Sequence, residues 1–219
     1  MKTVGLIPFW FNNGNGRDIK KLAGKHLIEY SVSLLNASNL IDETIIYASN
    51  KKILDYIDPE LSVKYLQRAV ELDSKEVLIE DIIESFFQDY PADTIILLHP
   101  YSPFLTKETL NKCITQVQNN SYDSAFTVIE TKKFTWYKNS PLNFDRDKKS
   151  PKLKDLDSII SEQGLLYVIN KETFLKQKSR VGKHPYMHII KHFEGHEINE
   201  QKDFEIAELI VNSGMFQGV

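Results

Sequence analysis

The sequence predicts an α/β fold of the Rossmann-like kind, a mainly parallel mixed sheet flanked by helices, with an extended arm. Short apolar runs alternate with segments of helical period along most of the chain, as expected of a largely parallel sheet covered by helices. One stretch, 134–160, breaks the alternation and is rich in Lys, Asp, Asn and Pro with scattered aromatics. It is long for a structureless loop, so it reads as an arm or lid. With 219 residues, 42% hydrophobic and 26% charged, the chain fits a single domain with a substantial core.

The expected strands are Val4 to Pro8, Thr44 to Ala48, Thr94 to Leu98, Ala125 to Ile129 and Leu165 to Ile169, with weaker ones around Val63 and Glu197. Their near-continuous apolar character suits strands buried on both faces. The expected helices are Leu27 to Ala37, Lys51 to Ile57, Lys75 to Phe87, Lys107 to Gln118, Lys171 to Lys176 and Phe204 to Val211. Asp73 or Ser74 is placed to cap the third and Thr106 the fourth, because their side-chain oxygens accept from first-turn N–H groups.

A net charge of −3 and a pI near 6.1 give no basic field for nucleic acid or an anionic membrane, so a phosphate site must be a local cluster. No apolar run is long enough to cross a bilayer and the first residues lack the features of a signal peptide, so a cytoplasmic location is expected. The one cysteine, Cys113, lies in a helical pattern and reads as a small buried hydrophobe. His184, His188, His192 and His196 recur every four residues, but Pro185 and Gly195 interrupt them. A zinc-binding helical stripe is therefore not expected.

In open α/β sheets ligands bind beyond the carboxyl ends of the strands. The loop NNGNGRD follows the first strand, where its glycines allow backbone N–H groups of Asn12, Asn13, Gly14 and Gly16 to form an anion nest. Arg17, Lys20, Lys21 and Lys25 supply cations nearby, with Arg17 and Lys25 the best candidates to hold phosphates. The alternative is a solvated basic face. The turn HPYSPF sets His99, Tyr101 and Ser102 beyond another strand, where His99 is able to accept a proton near neutral pH or simply bond the backbone.

The segment IPFWFNNGNGRDIKKLAGKHLIEYS resembles the opening of the acylneuraminate cytidylyltransferase family, most closely from Ile19 to Ser31. YLQRAVELDS, LLHPYSPFLT, ISEQGLLYVI and GHEINEQKDFEIAE resemble four later family segments, in the family's order. The resemblance implies a nucleotidyltransferase fold and transfer of CMP from CTP to a nonulosonic, sialic-acid-like sugar with release of pyrophosphate, in surface-glycan biosynthesis. It also implies a homodimer formed through the arm. Arg68 matches an arginine near the base, its fork suited to a carbonyl oxygen, against the alternative of a surface salt bridge with Glu71 or Asp73. Asp18 and Ser102 match nucleotide positions, and His99, Tyr101, Glu162 and Gln163 lie where the sugar is expected.

Nucleotidyl transfer concentrates negative charge on phosphate oxygens, which calls for Mg²⁺ held by one or two carboxylates. Glu197, Asn199 and Asp203 are the candidate ligands. If residues 197–199 form a strand, 197 and 199 share a face. The sequence departs from the family at several chemical positions: Trp10 stands for an arginine, Leu105 for another, and Glu197 and Asn199 for two aspartates. A catalytically silent homologue that binds a nucleotide, nucleotide-sugar or partner protein is the alternative function.

Overall fold

The computed structural model describes residues 1–11, 19–214 and 216. The elements in chain order are β1 (Thr3–Phe9), β2 (Lys21–Leu22), β3 (Lys25–His26), α1 (Leu27–Asn36), β4 (Glu43–Ala48), β5 (Lys64–Gln67), α2 (Ile79–Asp89), β6 (Thr94–Leu98), α3 (Lys107–Gln118), β7 (Ser124–Thr131), β8 (Trp136–Tyr137), β9 (Ser140–Pro141), β10 (Ile159–Asn170), α4 (Lys171–Gln177), β11 (Pro185–Ile189) and α5 (Gln201–Asn212). Seven strands form one sheet in the order β11-β7-β10-β6-β1-β4-β5. β10 runs antiparallel to β6 and β7, and every other pairing in this sheet is parallel. The mainly parallel mixed sheet and its helical layers match the expected fold class.

Alternation along the central strands builds a core on each face. Ile7, Ile46 and Ile96 face α1 and α3, meeting Ile28, Val32, Leu110 and Ile114. Leu6, Ile45, Tyr47 and Leu97 face α2, meeting Ile82, Ile83 and Phe86. All seven residues of β1 and all five of β6 are buried, so these strands carry no polar face. Gly5 lets α1 sit close: a Cβ there would meet the Leu35 side chain at 2.8 Å.

The structure moves three elements from their expected places. α2 begins at Ile79 instead of Lys75, because Asp73 and Ser74 are engaged elsewhere: Asp73 pairs with Arg68 at 2.6 Å, and the Ser74 hydroxyl bonds Glu76. Asp81 closes the N-terminus of α2 instead, accepting from the Leu78 N–H at 2.9 Å. Around Glu197 there is no strand, and β11 supplies the sheet edge in its stead. Segment 51–56 is a 3₁₀ turn and not an α-helix. Thr106 caps α3 as expected, its Oγ1 accepting from Thr109 N–H at 3.2 Å.

Within 134–160 a β8–β9 hairpin turns with Lys138 at φ 53. Phe144 packs edge-on to Phe134 at 5.1 Å and Trp136 at 5.2 Å, so the arm holds its own small aromatic cluster. Cys113 is buried and its thiol is pushed up to about 12 by desolvation, as suits an inert core residue. No helix among the described residues is long and apolar enough to cross a membrane.

The amino ends of β1 and β4 are locked by charge. Glu43 takes Lys2 at 2.6 Å and also pairs with Lys64, and accepts from Tyr90 Oη at 2.5 Å. Burial alone would raise its pKa, but these bonds hold it at about 2 against an ordinary 4.5. A depressed folded-state pKa means stabilisation that is present above the unfolded value and is lost as pH falls through the folded one. We therefore expect Glu43→Gln to be less stable than the natural protein at neutral pH, and the gap to close as pH drops from 4.5 toward 2. Denaturant unfolding across that range checks this; a pH-independent gap would contradict it.

Candidate active site

Because β1, β4, β5 and β6 run parallel, their carboxyl ends open on one edge of the sheet, where ligands bind in such folds. The antiparallel β10 reaches the same edge from its other end. Leu166 is level with Leu98, the last residue of β6, so residues 159–165 extend beyond it.

The loop candidates Asn12, Asn13, Gly14, Gly16, Arg17 and Asp18 lie outside the described residues. Its two flanks are well anchored. Phe11 packs edge-on to Phe9 at 5.0 Å, and the Ile19 carbonyl meets the His26 ring. The β2–β3 hairpin then turns through Ala23 at φ 48 and Gly24 at φ 86, the left-handed pair of a tight primed turn. Lys25 sits exposed at this hairpin. Lys20 is tied to α5, donating to Gln201 Oε1 at 2.9 Å and lying 5.6 Å above the Phe204 ring.

After β6, the His99 and Tyr101 rings stack at 5.0 Å and 9°. Ser31 Oγ donates to the His99 carbonyl at 3.1 Å, fixing the turn to α1. Ser102 is 2% exposed, and its buried Oγ has no partner among the described residues. A buried hydroxyl left unpaired costs stability, which marks Ser102 as a position where a ligand acceptor or donor would be welcome.

The segment before α5 packs against this turn, the Ile198 N–H donating to the Tyr101 carbonyl at 3.1 Å. The neighbours of Ile198 in the chain, Glu197 and Asn199, are therefore brought to the Tyr101 turn, though not by a strand. Asp203 serves its own helix: the Oδ2 atom accepts from the N–H groups of Asn199 and Glu200, both at 2.9 Å, capping α5. Among the described residues no three His, Cys, Asp or Glu side chains group to hold a metal. The four-residue histidine spacing gives no stripe. His188 lies in β11 beside Tyr186, His184 stacks on Tyr122, and His196 bonds the Asp203 carbonyl.

Glu162 and Gln163 lie on the β10 overhang, on opposite faces of the strand. Glu162 accepts from Tyr167 Oη at 2.5 Å and lies 3.7 Å from Arg180. Arg180 also bonds Glu80 at 2.7 Å and covers the Tyr167 ring at 4.8 Å. Burial, with the bond to Glu162 adding to it, raises the Tyr167 hydroxyl to about 12, so it stays a donor to Glu162. Sequence reasoning missed Arg180, whose surroundings SRVGKH carry no motif; only the fold brings it to Glu162.

Arg68 has neither of its expected settings. It is 0% exposed. Nη1 donates to the Tyr47 carbonyl at 3.1 Å, and Nη2 to the Phe9 carbonyl at 2.9 Å and Asp73 Oδ1 at 2.6 Å. Asp73 is thus the partner, as in the salt-bridge alternative, but the guanidinium lies inside the protein while Asp73 is half-buried at its margin. Desolvation lowers the guanidinium pKa, with Asp73 opposing it.

A family model described as cytidylyltransferase matches residues 15–208. Among curated proteins, the N-acylneuraminate cytidylyltransferases of Streptococcus agalactiae serotype III (strain NEM316) and serotype V (strain ATCC BAA-611 / 2603 V/R) are 23% and 22% identical over 189 residues. That covers 82% of this chain but 46% of each relative, so the chain spans about half the length of the curated relatives it matches. Among solved structures, 4-diphosphocytidyl-2C-methyl-D-erythritol synthase from Anaerococcus prevotii DSM 20548 superposes with a TM-score of 0.62 at 14% identity over 96% of both chains. A second structure of a 4-diphosphocytidyl-2C-methyl-D-erythritol synthase gives 0.66 at 11% identity, over 96% of this chain and 99% of that one. These two likenesses show the fold.

Arg68→Ala should lower stability sharply, by about 3–5 kcal/mol, because it strands two strand-end carbonyls in the interior and leaves the half-buried Asp73 without its cation. Chemical denaturation measures it, and a near-neutral effect would show that the guanidinium does not hold these strand ends together.

Proposed function

Because the chain belongs to the cytidylyltransferase family, we propose that it transfers CMP from CTP to a nonulosonic, sialic-acid-like sugar, releasing pyrophosphate, in the assembly of surface glycans. The observation that carries this reading is the convergence at one sheet edge of the flanks of the loop after β1, the His99–Tyr101 turn and the 196–203 segment, joined by the Ile198–Tyr101 bond. The names of the curated relatives support the sugar class.

In the proposed reaction the anomeric hydroxyl of the sugar attacks the α-phosphorus, and the bond to pyrophosphate breaks. His99, held by its stack on Tyr101, accepts the hydroxyl proton. Arg17 and Lys25 offset the charge that develops on phosphate oxygens. Tyr101 and Glu162 contact the sugar, Gln163 pointing to the other face of β10; Ser102 and the loop 12–18 contact the nucleotide. Magnesium would supply further charge neutralisation beside the phosphates. It takes one or two carboxylates with substrate oxygens, and Glu197, with Asn199 beside it, is the carboxylate of the expected set that does not cap α5.

The reading includes a cytoplasmic homodimer with no nucleic-acid or membrane partner. Its contact would be the arm, where Trp136 is 50% and Tyr137 64% exposed. The catalytically silent homologue is favoured by one observation: Asp203, one of the three expected metal ligands, caps a helix.

Incubation with CTP, Mg²⁺ and a panel of nonulosonic acids should release pyrophosphate. Arg17→Ala should reduce the rate by about two orders of magnitude, as for loss of one preorganised donor, and far more than Lys20→Ala. Calorimetric binding of CTP without turnover on any sugar would favour the silent homologue, and no binding of any nucleotide would reject both readings.

A further inference from the structure

Arg180 lies on the segment 178–184 that joins α4 to β11. We infer that Arg180 is a positioning residue: with the Tyr167 hydroxyl it fixes the Glu162 carboxylate on the β10 overhang, where that carboxylate accepts from a hydroxyl of the acceptor sugar. This rests on the reading of Glu162 as a sugar contact, proposed above.

β10 itself brings Glu162 and Tyr167 together. Gln163 pairs with Thr127 of β7 and Tyr167 with the adjacent Phe126, so residues 164–166 bulge out of that ladder. Bulges re-aim side chains. Here Glu162, level with Val128, and Tyr167, level with Phe126, come to share one face. Tyr167 Oη donates to Glu162 Oε1 at 2.5 Å. Arg180 Nη2 lies 3.7 Å from the same oxygen, while its Nη1 donates to Glu80 Oε1 on α2 at 2.7 Å. The guanidinium carbon sits 4.8 Å over the Tyr167 ring, whose next neighbour is the Phe126 ring at 6.1 Å. A planar fork that bridges carboxylates on two elements and lies on an aromatic face has little freedom. Both contacts to Glu162 fall on Oε1, and its side chain is still 45% exposed. The carboxylate is therefore held at one oxygen and open to a hydroxyl donor.

Arg180 is not needed to hold its own segment. Lys178 closes α4 at φ 52 and pairs with Glu84 at 2.6 Å. Val181 packs into the core on the α2 face of the sheet. The Gly182 N–H donates to Ser124 Oγ at 2.8 Å and the His184 N–H to Asp123 Oδ2 at 2.9 Å. Ion pairs between partly exposed side chains add little stability, so what Arg180 supplies to Glu162 is geometry. A carboxylate that is already held has less rotamer freedom to lose when the sugar binds. The charge balance also selects the group that Glu162 meets. One cation serves two carboxylates, so the cluster suits a neutral hydroxyl and not the acid group of the sugar.

Pyrophosphate release from CTP with Mg²⁺ and the nonulosonic acid that turns over fastest tests this in Arg180→Met, Glu162→Gln and the double variant. Arg180→Met should raise KM for the sugar about tenfold, with kcat changing less, and Glu162→Gln should raise it at least as much. KM for CTP should stay within about twofold. Because Arg180 acts through Glu162, the double variant should be no worse than Glu162→Gln alone, as for residues that work as one unit. A purely structural role would lower the melting midpoint and leave KM of the folded protein unchanged. Natural sugar KM in folded Arg180→Met would overturn the inference, as would losses that multiply in the double variant or an equal rise in KM for CTP. If Arg180→Met does not fold, Tyr167→Phe, which removes only the hydroxyl, decides by the same comparison. Natural sugar KM in Glu162→Gln, or no turnover of any sugar by the natural protein, would instead remove the reading of Glu162 and the inference with it.

Discussion

A guanidinium sealed from solvent must find its partners inside the protein, and Arg68 finds them at the carboxyl ends of β1 and β4. Removing such a charge from water is expensive, and only good geometry with well-placed acceptors repays it. The strand ends are consequently not free to drift relative to one another. Trp10 at the end of β1, the Ser49 exit from β4 and the 70–73 turn all meet at this one residue and its carboxylate partner. Rigid support is what a site for phosphoryl chemistry requires, since most of its catalysis is placement and charge.

The two edges of the sheet divide the work. At the amino ends, Glu43 with Lys2 and Lys64 closes the structure with ion pairs that face no ligand loop. At the carboxyl ends polar side chains gather: the Ser102 hydroxyl, without a partner among the described residues, the stacked His99 and Tyr101 rings, and the Glu162–Arg180 pair on the β10 overhang. Antiparallel β10 matters here because it brings a strand start, and not another strand end, to the active edge.

Much of the fold was legible because β1, β4 and β6 are buried on both faces and so read as unbroken apolar runs. β11 was hidden: its burial is partial throughout, with Met187 and Ile189 exposed, so no periodic signal separates it from a loop. The start of α2 was misplaced because Asp73 has the right chemistry for a cap but a stronger tertiary partner in Arg68. Site legibility followed the same division. The positions of the loops followed from strand ends and motifs. The burial of Arg68, the capping role of Asp203 and the arrival of Arg180 beside Glu162 depend on contacts between segments far apart in the chain, which local pattern does not encode.

We propose that the carboxyl edge braced by Arg68 is the nucleotide site. A crystal structure of the protein soaked with CTP tests it most directly. The triphosphate should lie against the loop after β1 and the base near Ser102, with the bonds from Arg68 to the Phe9 and Tyr47 carbonyls intact. Nucleotide bound elsewhere, or Arg68 released from those carbonyls to contact the base, would contradict it.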